Sequence, residues 1–124
     1  MACGAVKSSA DVLLLQETKI LGTDLCKRAE DAAMRSGWQG TINAANNTDN
    51  GGASAGVGIL AKKHIGMKYD SIEIQKKYRS RIAYAWLGLG RKGGVHVMSV
   101  YLWTSEGLTP RNQCFLAGVE RITK

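Results

Sequence analysis

The chain alternates between two kinds of patterning. "DVLLLQE" (residues 11–17) is a short run with apolar residues on both faces, which predicts a central strand covered on each side. "GTDLCKRAEDAAMRSG" (22–37) has helical spacing: Leu25, Ala29 and Ala32 share a face, Thr23 or Asp24 can cap the start, and Gly37 supplies the stop. "WQGTIN" begins a short strand that passes into an Asn/Gly-rich loop, and "GVGILAKK" is a further strand. In "MKYDSIEIQKK", Ile72 and Ile74 alternate with polar residues. "SRIAYAWLGLG" sets Ile82, Tyr84 and Trp86 against Ala83, Ala85 and Leu87, and "RKGG" is a turn leading into the alternating strand "VHVMSVYLW". "LTPRNQCFLAGVERITK" closes the chain as a helix, with Thr109 as cap, Pro110 at the first helical position and Phe115, Val119 and Ile122 as its buried stripe.

The order is thus strand, helix, several antiparallel-looking strands, helix. It predicts an α/β or α+β domain with mixed, mostly antiparallel sheets, and it excludes a strictly alternating doubly wound fold. A length of 124 residues suits one domain, here 1–124, and 44% hydrophobic with 22% charged residues is ordinary for a globular protein. Fifteen glycines against one proline fit a turn-rich chain.

Charge changes the picture. The net charge is +7, and its excess gathers between Lys62 and Lys92, where Lys76, Lys77, Arg79 and Arg81 sit among other basic residues opposed only by Asp70 and Glu73. Such a field draws polyanions, nucleic acid first among them; a solvated basic face is the alternative. Cys3, Cys26 and Cys114 form no C-x-x-C pair, which supports neither a disulfide framework nor a zinc site. With no signal peptide or membrane span legible, an intracellular protein, nuclear or cytoplasmic, is expected.

Most motif readings fail on context. "GGASAGVG" lacks the Gly-Lys-Ser/Thr ending of a phosphate loop and precedes a strand, not a helix. His64 and His96 stand at no ligand spacing, and both read as ordinary surface or sheet residues. The chemistry left is one acid at a strand end, Glu17, one tyrosine on a later strand, Tyr101, and the basic stretch.

In that order, "DVLLLQETKI", "GVGILAKK", "HVMSVYLWTSEG" and "RNQCFLAGV" resemble the endonuclease/exonuclease/phosphatase family, which includes DNase I-like and apurinic-site endonucleases and retroelement-type endonucleases. The resemblance runs from about Asp11 to the end. It implies a partial four-layer α/β-sandwich and hydrolysis of a phosphate ester with Mg²⁺ or Mn²⁺. Glu17 would be a metal ligand and Tyr101 would act at the scissile phosphate. Lys76, Lys77, Arg79 and Arg81 would track a nucleic-acid backbone. The family's first strand belongs upstream, and its Asp-x-Asn and Ser-Asp-His motifs downstream, so the expected match is the N-terminal portion of the domain, truncated at both ends and inactive alone. The alternatives are a nucleic-acid-binding remnant without catalysis and a phosphoinositide or small-molecule phosphatase of the same family. Residue by residue, Glu17 as a plain strand-end acid and Tyr101 as a half-buried aromatic are the bland counterparts.

Overall fold

A computed structural model of the chain describes residues 10–48, 50–68, 78–88, 93–103 and 109–123. It is a mixed α/β structure with antiparallel sheets and, among the described residues, two helices. Strand β1 (Val12–Leu15) is followed by helix α1 (Thr23–Arg35), β2 (Trp38–Asn43) and the two-residue strands β3 (Asn46–Asn47) and β4 (Ala53–Ser54). Then come β5 (Val57–Lys62), β6 (Gly66–Lys68), β7 (Ile82–Gly88), β8 (Gly94–Val100) and helix α2 (Pro110–Thr123).

The first sheet has the order β1-β5-β2, with both outer strands antiparallel to β5. The central strand is therefore β5, whose Val57–Ala61 are all buried. That corrects the expectation for β1: it lies at the edge of the described sheet, and Leu14 is half exposed. Leu13 and Leu15 point the other way, onto a cluster of Ala33, Trp38 and Leu60 that joins α1 to this sheet. A continuous apolar run does not by itself distinguish a central strand from an edge strand beneath a helix.

Helix α1 also departs in detail from its sequence reading. Its N-cap is Gly22, and neither Thr23 nor Asp24 caps it with a side chain. Its buried positions are Cys26 and Ala33, one register step from the expected face, and Leu25 is half exposed. The stop is as expected. Gly37 adopts φ +92°, a left-handed conformation that glycine takes without strain, and its N–H reaches Met34 O at 3.2 Å.

The other large sheet has the order β6-β7-β8. β7 and β8 pair antiparallel from Ile82↔Val100 to Gly88↔Gly94; the expected Arg91–Lys92 turn residues lie outside the described residues, as do Ile72, Ile74 and Cys3. The alternation of β7 divides its residues as the sequence predicts. Ala83 and Ala85 pack on Val57 and Ile59, and Leu87 packs with Ala61 and Ile65, so this core joins the two sheets face to face. Ile82 faces the opposite way, into a cluster with Tyr78 and Phe115, with Met98, Val100, Trp103 and Val119 around it. Phe115 of α2 is fully buried there, its ring edge-on to Tyr78 (4.9 Å) and Trp103 (5.6 Å). Ile122's side chain lies outside the described residues.

No helix among the described residues is long and apolar enough to cross a membrane.

Candidate functional site

Because β1 and β2 both run antiparallel to β5, their C-terminal ends lie at the same end of the sheet, beside the start of β5. Two hydrogen bonds bind that end to the second sheet. The Ser99 hydroxyl donates to Leu15 O (2.9 Å), and the Gln16 amide donates to Val100 O (2.5 Å), each bridging 84 positions of sequence. The residues that follow these anchors are Glu17 and Tyr101. The fold thus brings the two sequence candidates to one mouth between the facing sheets, with Gln16 turned to a structural task.

The mouth has an unusual backbone. Glu17 (φ +52°), Lys19 (φ +56°) and Ala55 (φ +67°) are the described non-glycine residues with positive φ, and Gly56 joins them at +93°. Such conformations disfavour side chains and persist where neighbouring contacts over-determine them. Here Thr18 N–H donates to Gly56 O (3.1 Å), Lys19 N–H to Ala55 O (3.0 Å) and Gly56 N–H to Ser80 O (2.8 Å). The turn lifts Glu17 out of the strand and leaves its side chain exposed.

Tyr101 is half-buried and held from the side of β7. Its N–H donates to Arg81 O (2.9 Å), and the Arg81 guanidinium donates back to Tyr101 O (3.2 Å). That guanidinium lies 5.2 Å from the Tyr101 ring centroid and 4.1 Å from that of Trp103, whose ring also takes Arg111 at 4.4 Å. Burial lowers the Arg81 pKa, the Tyr101 phenol opposes that shift, and the Arg111 charge adds to it. Trp103 is pinned in turn by buried Asn112, which accepts from its N–H (2.9 Å) and donates to its carbonyl (3.0 Å).

The basic candidates separate accordingly. Arg79 is exposed. Arg81 is 4% exposed with its Nε unpartnered, so it does not track a ligand backbone along the surface as the charge run suggested; it supports Tyr101 from beneath. Lys76 and Lys77 lie outside the described residues. The histidines stay apart from this chemistry: His64 is exposed, and His96 Nδ1 shares a short hydrogen bond with the Tyr84 hydroxyl across the β7–β8 pair.

Among the described residues no three His, Cys, Asp or Glu side chains gather where they could hold a metal. The donor that the mouth does offer is the exposed carboxylate of Glu17. That chemistry fits a hard cation such as Mg²⁺, which keeps several waters and needs as few as one protein carboxylate beside a substrate phosphate. It does not fit a dedicated all-protein cage.

Several site residues were missed in the sequence. Ser99, Ser80, Asn46 and Asn112 were given no role at the site, although Ser99 and Asn112 lie within the stretches that carry the resemblance. Asn46 donates to the Ser80 hydroxyl (2.8 Å) and Asn43 to Ile82 O (2.7 Å), so the Asn-rich segment fastens the first sheet to the start of β7. The only signal available was the density of short polar side chains, which satisfy backbone groups where strands end.

No protein-family model, curated protein or solved structure matches the chain.

Proposed function

We propose that this chain forms part of a divalent-metal-dependent phosphodiesterase of the endonuclease/exonuclease/phosphatase type, acting on nucleic acid. The observation that carries the reading is the joining of the strand ends that lead into Glu17 and Tyr101 by the Ser99–Leu15 and Gln16–Val100 hydrogen bonds. Two further features support it. The helix-on-sheet packing of α1 and of α2 on either side of two facing sheets supports a sandwich of this type, and the chain carries a +7 charge suited to a polyanion.

Glu17 would hold Mg²⁺ or Mn²⁺, which when bound supplies charge stabilisation at the phosphoryl and leaving oxygens. The Tyr101 phenol would donate a hydrogen bond to a non-bridging phosphate oxygen. Arg81 fixes the Tyr101 backbone and places a positive charge against its ring. Exposed Arg79 is available to the strand's phosphates.

The test is plasmid nicking with Mg²⁺, comparing this chain with a longer protein that carries downstream sequence. Phosphoinositide hydrolysis in parallel separates a lipid phosphatase from a nuclease. Glu17→Gln is expected to reduce turnover by at least about a hundredfold, roughly 3 kcal/mol of transition-state stabilisation, and Tyr101→Phe by a smaller factor. Nicking that survives Glu17→Gln unchanged, or a folded extended protein with no activity, refutes the proposal.

A further inference from the structure

A cleft of about 370 Å³ opens between the N-terminal half of α1 and the C-terminal end of β2. Its volume lies in the range of small-ligand sites. Two exposed cations line it, Lys27 from the helix and Arg79 from the lead-in to β7. Among the described residues neither forms a direct ion pair with a carboxylate; the pair there is Lys62 with Asp11. Glu30 lines the same cleft one helical turn from Lys27, and its position is fixed because one carboxylate oxygen accepts from Ile42 N–H at 2.7 Å. The second oxygen remains for a donor. Asn43 spends its amide N–H on Ile82 O, which leaves its amide oxygen as an acceptor. Cys26 and Ile42 are buried side chains of the wall. Burial pushes the Cys26 thiol pKa up, with the Glu30 charge adding to the effect, so this wall is neutral rather than nucleophilic.

A simple anion would meet Lys27 and Arg79 favourably but would face the Glu30 charge. A ligand with a phosphate at one end and hydroxyl donors at the other satisfies both. Positions i and i+3 of a helix place Lys27 and Glu30 side by side on one face, so one ligand can reach both the cation and the carboxylate. A carboxylate receiving a ribose hydroxyl is established recognition chemistry, and the 2′-hydroxyl is what distinguishes ribose from deoxyribose. We propose that this cleft binds a ribonucleotide, with its phosphate between Lys27 and Arg79 and its ribose 2′-hydroxyl on Glu30.

The cleft adjoins the mouth through a single tripeptide. Arg79 lines the cleft, Ser80 accepts Gly56 N–H at the mouth, and Arg81 lies under Tyr101. The inference shares Arg79 with the nuclease reading but needs neither metal nor Glu17, so a metal-free binding test can fail without the nuclease reading failing.

The test is calorimetric titration of the whole chain, without added metal, using adenosine 5′-monophosphate, its 2′-deoxy counterpart and inorganic phosphate. The ribonucleotide is expected to bind about tenfold more tightly than the deoxynucleotide, with Glu30→Gln erasing that preference, the scale of one hydrogen bond to a charged group. Gln at position 30 keeps an oxygen for Ile42 N–H, so the fold is retained. Lys27→Gln and Arg79→Gln should each weaken binding about five- to tenfold, discounted for exposure, and Glu17→Gln should leave it unchanged. Competition by a 5′-phosphorylated oligoribonucleotide identifies a strand end as a source of the ligand; without competition the source is free nucleotide. Four results overturn the assignment: equal affinity for ribo- and deoxynucleotide, phosphate binding as tightly as the nucleotide, affinity unchanged in the Lys27/Arg79 double variant, or no binding at millimolar ligand.

Discussion

Gly56→Ala is the substitution that probes the mouth most directly, because its cost divides into two separable parts. Gly56 has φ +93°, so any side chain there strains the backbone by about 1–2 kcal/mol. The added Cβ would also collide with the Thr18 hydroxyl, and it would lie 3.2 Å from Lys19 N and 3.4 Å from the Ala45 Cβ. Overpacking of that kind costs about 1–3 kcal/mol, giving a total loss of about 2–5 kcal/mol. Thr18→Ala removes the colliding oxygen but leaves φ unchanged. Placed in the Gly56→Ala background, it should therefore recover the overpacking share and leave the backbone share. Urea denaturation followed by tryptophan fluorescence measures both, provided the m-value is constant across the variants. The reasoning fails if Gly56→Ala costs less than about 1 kcal/mol, or if the two substitutions add within about 0.5 kcal/mol, the margin for independent sites.

Two further outcomes follow from the packing and from the Cys26 environment. Phe115→Ala should lose about 3–5 kcal/mol in the same denaturation experiment, because a fully buried ring that contacts Tyr78 and Trp103 leaves a cavity between α2 and the second sheet; a loss below about 1 kcal/mol would mean that α2 does not pack there. Burial, with the Glu30 charge adding to it, raises the Cys26 pKa in the folded protein, so its contribution to stability is fully present below the unfolded thiol value of about 8.5 and is lost as pH rises through the folded value. Denaturation midpoints across pH 7 to 10 should accordingly fall less steeply for Cys26→Ala than for the parent, and equal slopes would refute the linkage.

The strand pattern was legible because side chains alternate across a sheet whatever else surrounds them. The alternation of β7 predicted correctly that Ala83, Ala85 and Leu87 share a face, and that face is the inter-sheet core. Pattern alone could not rank strands within a sheet, so β1 was read as central while β5 occupies that place. It could not fix the rotation of α1 either, since Leu25 and Cys26 offer neighbouring apolar stripes. The packing of Ala33 against Trp38 and Leu60 decides between them. Arg81 was misread for a physical reason. In a basic run every cation looks solvated, and nothing local reveals that the aromatic rings of Tyr101 and Trp103, some twenty residues on, cover this one. The candidate site shows the same division. Glu17 and Tyr101 took their expected roles from the family resemblance, but the polar side chains that bring their strand ends together carry no signature, because a serine bonding a distant carbonyl is invisible until the sheets are stacked.

The placement of strain argues that the mouth is more than a loop. Glu17, Lys19, Ala55 and Gly56 all hold positive φ, and they belong to two segments that face each other. An isolated turn relaxes by exchanging such residues for glycine or asparagine, and only one of these four positions has done so. The others are held by the Thr18–Gly56 and Lys19–Ala55 backbone pairs, by Gly56 N–H on Ser80 O, and by Ala45 N–H on Ile20 O at 2.8 Å. The strained turn raises Glu17 into solvent at the point where Ser99 and Gln16 have already drawn β1 onto β8. Strain held in place by four backbone hydrogen bonds, with an exposed acid at its crest and a tyrosine anchored on the adjoining strand end, is the geometry on which the proposal of Glu17 as an oxygen ligand rests.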